Sequence, residues 1–280
     1  MSSSHELNLE AALAQAADIA SEAGAVVRDL AGRIDRVDYK GVVDLVTEAD
    51  HESEAIIVAA LERAFPDHHI HAEEGGGAGA PADATPYTWY IDPLDGTTNF
   101  AHGLPQFSIS IALTDRERSL VGVVLDPMRG ECFTAARGAG AALNGRPIHV
   151  SPTPRLSQAL ASTGFPYDRW TAEDDNIAEW RRFMKRTQGT RRLGSAALDL
   201  AWVAMGRLDL FWEKRLNPWD VLAGALLVEE AGGRVTDFEG NRPTPERLGA
   251  KILASNDLVH EEALAVFRLG DAAPLPFVKP

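Results

Sequence analysis

Cysteine is almost absent from this sequence: among 280 residues there is one, Cys132. A lone cysteine forms no internal disulfide. That excludes a disulfide-stapled secreted scaffold and fits a reducing cytoplasm. Its surroundings, ECFTA, are apolar and strand-like, a setting for an inert thiol rather than a nucleophile. Cations are scarce as well. Lysine and arginine number 27 against 41 aspartates and glutamates, a formal net charge of -14. This excludes a general nucleic-acid binder, which needs a cationic surface to displace counterions. The acidity reads as solubility. Long apolar runs are missing too. The alanine-rich stretch from Ala11 to Leu30 is interrupted by Asp18, Glu22, Arg28 and Asp29, so it reads as a soluble helix, and no membrane span is expected. The opening MSSSHELNLE has neither a basic n-region nor an apolar h-region, so no secretion signal is expected. There is no internal repeat and no long linker.

What remains is a globular composition. Hydrophobic residues make up 45% of the chain, enough for a sizeable core in one large domain or two packed halves. An amphipathic helix is expected over roughly 8–31, closed near Gly32. VVDLVTEAD (42–50) begins strand-like, and a helix of about four turns follows, ending before Pro66. HHIHAEE (68–74) reads as a short strand ending in acids. Alternation places His69 and His71 on one face of it, with no partner pattern for a histidine metal site. EGGGAGAPADATP (74–86) reads as a flexible surface loop. YTWYI, FSISIAL, SLVGVVLD and ECFTAA are closely spaced strand candidates, so part of the sheet should be antiparallel. ALASTGFP (159–166) is another strand. Helices are expected near 172–187 and 195–205, then a strand in RLDLFWE. NPWDVLAGALLVEEAGG (217–233) carries strong helix signals: Asn217 as N-cap, Pro218 at the first position, glycines at the end. GRVTDF and KILASN are strands, and a last helix closes near 268. The tail DAAPLPFVKP is expected to be extended and loosely held.

The chemistry concentrates where apolar elements end in acids. WYIDPLDGTTNF (89–100) runs from a buried strand into Asp92 and Asp95, three residues apart. Two carboxylates there are costly unless something pairs with them. A hard dication such as Mg²⁺, which takes oxygen ligands, removes the repulsion. Pro93 stiffens the strand exit, the Leu94 carbonyl is left to act as a further oxygen ligand, and Gly96 permits close backbone approach. A helix starting near Thr97 would offer N–H groups to a phosphate. Taken alone, D-x-x-D-G is as readily a simple turn. Glu73 and Glu74, Asp50 after Thr47, and Asp220 in the NPWD turn are further acids at element edges. Asp220 alone could complement a helix dipole, and Asp50 alone could be a cap. Their number favours a metal-and-phosphate platform.

WYIDPLDGTTNFAHGLPQFSISIAL and NPWDVLAGALLVEEAGG resemble the two signatures of the inositol monophosphatase family. VDLVTEAD, the HAEE acids, TGFPYD and RRLGSAALDLAWVAMGRLDLFWE fall in the family's order between and before them, from about residue 10 to 268. The resemblance implies an α/β, layered αβαβα sandwich with mixed, largely antiparallel sheets. It implies one domain over 1–280 in two packed halves, about 1–150 with the metal and phosphate platform and about 151–280 with the substrate side and Asp220. It implies hydrolysis of a small phosphate monoester, inositol 1-phosphate first, with two or three Mg²⁺ ions, lithium sensitivity and a homodimer, while the charge and the lack of apolar runs imply no nucleic-acid or membrane partner. Carried onto this chain, Glu73, Asp92, the Leu94 carbonyl, Asp95 and Asp220 are the implied metal ligands. Asp50, Glu73 and Thr97 are the implied catalytic set, with Thr97 positioning the nucleophilic water. Asp95, Gly96, Thr97, Thr98, Gly194, Ser195, Ala196, Glu213 and Asp220 are the implied substrate contacts. Gly75 stands where family members often carry a small polar residue, and Asn217 where some carry another polar residue. Lys214 and Arg215 beside Glu213 are either solvated charges or a grip on a second anionic group. The basic segment RRFMKRTQGTRR (181–192) leaves a bisphosphate substrate open, with a solvated helix face or a subunit contact as its other readings. Fructose-1,6-bisphosphatase, 3′-phosphoadenosine 5′-phosphate phosphatase and histidinol-phosphate phosphatase are the alternative activities on this scaffold. A non-catalytic role with the transcription machinery is the alternative from another class.

Overall fold

The computed structural model describes residues 7–32, 37–39 and 45–269. The expected tail at 271–280 and the start of VVDLVTEAD lie outside them. The first part of the chain runs α1 (Leu9–Leu30), β1 (Val37–Tyr39), β2 (Leu45–Thr47), α2 (Glu48–Ala64), β3 (His69–Ala72), β4 (Gly76–Gly79), β5 (Thr88–Asp95) and α3 (Thr97–Ala101). Then follow β6 (Ser108–Thr114), β7 (Ser119–Asp126), β8 (Glu131–Ala136), β9 (Gly140–Leu143) and β10 (Arg146–Pro147). The second part runs β11 (Leu160–Thr163), α4 (Ile177–Met184), β12 (Gly189–Arg191), α5 (Ala196–Ala204) and β13 (Leu210–Lys214). It closes with α6 (Pro218–Glu230), β14 (Arg234–Thr236), β15 (Lys251–Ser255) and α7 (His260–Phe267).

Local chemistry starts the helices. The Asn8 side chain accepts the Ala11 N–H at 3.0 Å and caps α1. The Asp50 and Asp220 side chains accept the backbone N–H of Thr47 and Asn217 at 2.8 and 2.7 Å, closing capping boxes on α2 and α6. In α1, Ala12, Ala16, Ile19, Ala23 and Val27 form the buried stripe expected of an amphipathic helix.

Two sheets organise the layers. The larger has the order β10-β9-β8-β7-β6-β5-β3-β4, with β3 and β5 parallel and its other pairs antiparallel. The smaller has the order β12-β11-β13-β15-β14, with β11 parallel to both of its neighbours. Strand alternation then sorts the side chains. Trp89 and Ile91 of β5 and Ile109, Ile111 and Leu113 of β6 face α1 and α2. Ala112, Val124 and Phe133 face α5 and α6, which meet Phe211, Ile252 and Ala254 of the smaller sheet on their other side. Leu210, Trp212 and Leu253 point outward to α4 and α7. The result is the expected αβαβα sandwich. Full burial of a side chain such as Trp89 or Trp212, at 0% exposure, is worth roughly 1.5–3 kcal/mol.

Two expectations need correction. Residues 76–79, read as loop, form the edge strand β4, pairing His69–Ala72 with Gly79–Gly76; the backbone ladder overrides the glycine composition. The helix expected near 172–187 is shorter, because Asn176 adopts φ 68° and its amide is bonded to Thr163, Gly164 and Trp212.

Candidate active site

The backbone of β5 explains how two acids three residues apart share one side. In a regular strand they would face opposite ways. Here Asp92 pairs with Ser110 but Asp95 pairs with Ser108, so the strand carries a bulge of one extra residue at Pro93–Leu94. Ser108 and Ser110 point to one face of β6, and both aspartates are brought to that face. Gly96 ends the strand at φ 98°. A Cβ there would lie 3.0 Å from the carbonyl oxygens of Gly194 and Gln106. Glycine thus allows the platform to touch the segment that opens α5. Asn99 fastens the same junction, donating to Leu193 O at 2.8 Å and Gln106 O at 2.7 Å.

Around this platform opens a cleft. Glu73, Asp92, Leu94, Asp95, Gly96, Thr97, Gly194, Ser195, Ala196, Glu213 and Asp220, all named from the sequence, line it. Thr98 and Asp50 do not. Thr98 lies in the first turn of α3. Asp50 sits behind the cleft, where one carboxylate oxygen takes the Thr47 cap and the other accepts the Thr97 hydroxyl at 3.1 Å. Asp50 is thus the cap of α2 and, with its other oxygen, a partner of Thr97. The Thr97 hydroxyl is also 3.0 Å from the Leu94 carbonyl. Asp95 accepts from Ser195 Oγ and from the Ala197 N–H, both at 2.7 Å, at the positive end of α5.

The cluster is electrostatically frustrated. Burial holds the Asp92 carboxyl well above the usual range, and the charges of Glu73, Asp95 and Asp220 push it further. Asp220 is raised well above its ordinary value by burial and then by Asp95 and Glu73. Burial lifts Asp95 to about 6 against its Ser195 hydrogen bond. Asp95 and Asp220 open onto the cleft, yet enough protein surrounds them for burial to dominate. Among the described residues no three acid or imidazole groups are already drawn together as metal ligands, so the fit of a cation rests on donor chemistry. Four carboxylates on one cleft, of which Asp92 and Asp220 are pushed up by the charges of the others, with a carbonyl beside them, suit a hard dication.

Sequence reasoning missed Asp199. It is 2% exposed, lines the cleft and keeps Oδ1 without a hydrogen-bond partner. Burial, then Asp95, raises it well above the usual carboxylate range. An acid within SAALDLAWVA gives no local signal of this. Thr163, Phe165, Pro166, Tyr167 and Arg192 also line the cleft. Glu213 lies against Gly164, where a Cβ would come within 2.1 Å of its carboxylate, and burial lifts its pKa to about 8. Lys214 is 4% exposed and paired with Asp174 and with Glu179, the latter at 3.1 Å, while Arg215 pairs with Asp168. Both cations therefore hold the segment over 164–176, and a second substrate anion would have to displace these carboxylates. His69 and His71 do share a face; His69 is bonded to the Ala80 carbonyl and His71 stacks on Trp219. Cys132 is inert, its thiol pushed up to about 11 by burial.

A five-layer α/β sandwich with a carboxylate cluster at a strand exit, facing a helix start, defines a class of phosphatase. The model of the inositol monophosphatase family matches residues 8–269. An inositol-1-monophosphatase from Synechocystis sp. is 48% identical over 250 residues, 88% of this chain and 86% of its own. The Nus factor SuhB of Pseudomonas aeruginosa is 50% identical over 222 residues, 79% of this chain and 81% of its own. The solved inositol monophosphatase from Anabaena superposes with a TM-score of 0.85 at 42% identity, over 96% of this chain and 99% of that one. The chain belongs to the inositol monophosphatase family, and it is a phosphoric monoester hydrolase.

Proposed function

We propose that the protein hydrolyses inositol 1-phosphate to inositol and inorganic phosphate by direct in-line attack of water, with Mg²⁺ as cofactor. The observation that carries this reading is the cluster of Glu73, Asp92, Asp95 and Asp220, whose mutual repulsion calls for a dication, beside the Thr97–Asp50 pair. Glu73, Asp92, the Leu94 carbonyl, Asp95 and Asp220 would hold two or three ions. Bound there, Mg²⁺ supplies charge stabilisation at phosphorus and at the leaving oxygen and lowers the pKa of the attacking water.

The chain's own groups do the rest. By donating its one hydroxyl hydrogen to Asp50 or Leu94, Thr97 leaves its lone pairs to accept from the attacking water and aim it. In α3 the Phe100 N–H closes on Gly96 O at 3.1 Å. The N–H groups of the preceding turn have no acceptor inside the helix, so those of Gly96 and Thr97, which line the cleft, are offered to phosphate oxygens. Glu213, with Gly194, Ser195 and Ala196, takes the hydroxyl side of the substrate. The engagement of Lys214 and Arg215 by acids of the chain supports a monophosphate over a bisphosphate.

Phosphate release from inositol 1-phosphate, fructose 1,6-bisphosphate, 3′-phosphoadenosine 5′-phosphate, histidinol phosphate and glycerol 2-phosphate tests the reading. Each is run with Mg²⁺, with Mg²⁺ plus Li⁺, and with chelator. Preference for inositol 1-phosphate, lost with chelator and reduced by Li⁺, is expected. Preference for a bisphosphate would overturn the substrate. The Nus factor name of the Pseudomonas relative raises a second role, in transcription, which would survive Asp95→Asn while hydrolysis would not. A homodimer is part of the same proposal, read by light scattering.

A further inference from the structure

Helix α2 turns an unusual face to the core. Asp50, Ser53, Glu54 and Ile57 follow at helical spacing and all are buried. Three of the four are polar, and each reaches the backbone or a side chain that builds the cleft. Asp50 holds Thr97. Ser53 Oγ donates to the Pro93 carbonyl at 2.8 Å. Glu54 Oε2 accepts the Glu74 N–H at 2.7 Å, and the Gly75 N–H bonds to the same carboxylate. Glu54 is 8% exposed, so this carboxylate is kept buried by the turn it holds.

Gly75 is the other half of the arrangement. A Cβ at Gly75 would lie 2.7 Å from Glu54 Oε1. The carboxylate thus stands where a side chain at position 75 would stand. The absence of a side chain there, a departure from the common family pattern, leaves that space to the end of the Glu54 side chain.

We propose that Glu54 is a positioning residue for Glu73: by gripping the N–H groups of the next two residues, through a gap left by Gly75, it fixes the turn that aims the Glu73 carboxylate at the metal. The inference rests on the reading of Glu73 as a ligand. Glu54→Gln keeps the shape but replaces one acceptor by an NH₂ group that opposes an N–H. Gly75→Ala keeps both carboxylates and pushes Glu54 back.

The test is titration calorimetry of metal-free protein with Mg²⁺ alone, beside amide hydrogen exchange over 73–75. Expected is roughly 10- to 100-fold weaker Mg²⁺ binding in Glu54→Gln, a smaller loss in Gly75→Ala, and faster exchange of the Glu74 and Gly75 amides. Circular dichroism and metal-free melting of Gly75→Ala should match the wild type. Should Glu54→Gln fail to fold, Gly75→Ala decides by the same readout. Wild-type affinity in the folded variants overturns the role of Glu54 alone. No Mg²⁺ binding by the wild type overturns the metal reading, and this inference with it.

Discussion

Without a metal the acids of the cleft should make the protein less stable as pH rises from 5 to 8. The folded state lifts Asp50 and Asp95 from 3.8 to about 6 and Glu213 from 4.5 to about 8. Burial is the first cause in each. In this window the folded state binds more protons than the unfolded one, so stability falls with pH. The contribution is fully present below the unfolded values near 4 and is lost as pH passes the raised ones. At about 1.4 kcal/mol per pKa unit, a shift like that of Asp95 removes about 3 kcal/mol in all, of which about 1.4 kcal/mol falls between pH 5 and 8. For a chain of this size that is about 3 to 6 °C in Tm across the window. Asp95→Asn should take away at least this share of the slope, since it also relieves Asp92 and Asp220. General repulsion from a net charge of -14 would be almost untouched by one substitution, so the variant isolates the local effect. Saturating Mg²⁺ should reverse the trend, because the charged carboxylates then have a partner. The assay is thermal unfolding in chelator from pH 5 to 8, for both proteins. A metal-free Tm that is flat or rises over this range, or an Asp95→Asn slope equal to the wild type, would refute the reasoning.

Three further outcomes are expected. Thr97→Ala should lower kcat by about 10²-fold, the scale of losing a group that positions the attacking water, while the Mg²⁺ titration midpoint stays put; steady-state kinetics across Mg²⁺ concentrations checks this. Gly164→Ala puts a methyl where the Glu213 carboxylate lies and should raise KM for inositol 1-phosphate by about tenfold, with little change for glycerol 2-phosphate. Lys214→Met removes one of two cations on Glu179, Arg182 remaining at 3.2 Å, and should cost about 1.5 kcal/mol, the scale of a hydrogen bond to a charged group, less than an uncompensated buried charge; denaturant unfolding reads it.

Much of the fold and site was legible in the sequence because the chemistry is local there. Asp92, Asp95 and Gly96 lie within one strand exit, and the tension between buried strand and charge is visible from the residue types alone. Asp50 and Asp220 show themselves at helix starts, and each caps its helix; Asp220 also lines the cleft, while Asp50 touches it only through Thr97. The antiparallel character of the sheet followed from strand spacing, and the layered sandwich from the family resemblance. What stayed hidden depends on contacts between distant segments. Asp199 sits in an apolar helix and Glu54 in the acid-rich EADHESEA, where an extra acid reads as a solvent-facing charge. Only packing reveals that both are buried. The bulge that turns Asp92 and Asp95 to one face needs the register against β6. The edge strand β4 has almost no side chains to signal it. Lys214 and Arg215 could not be assigned until their partners Asp174, Glu179 and Asp168 were brought beside them.

The central claim is that this carboxylate cluster holds the Mg²⁺ that powers hydrolysis of a phosphate monoester. Phosphate release from inositol 1-phosphate, measured against Mg²⁺ concentration in the wild type and in Asp95→Asn, tests it most directly. The account predicts Mg²⁺-dependent turnover by the wild type, none in chelator, and a loss of at least about 10³-fold in the variant with its fold intact by circular dichroism. Turnover by Asp95→Asn at the wild-type rate, or turnover by the wild type that persists in chelator, would contradict it.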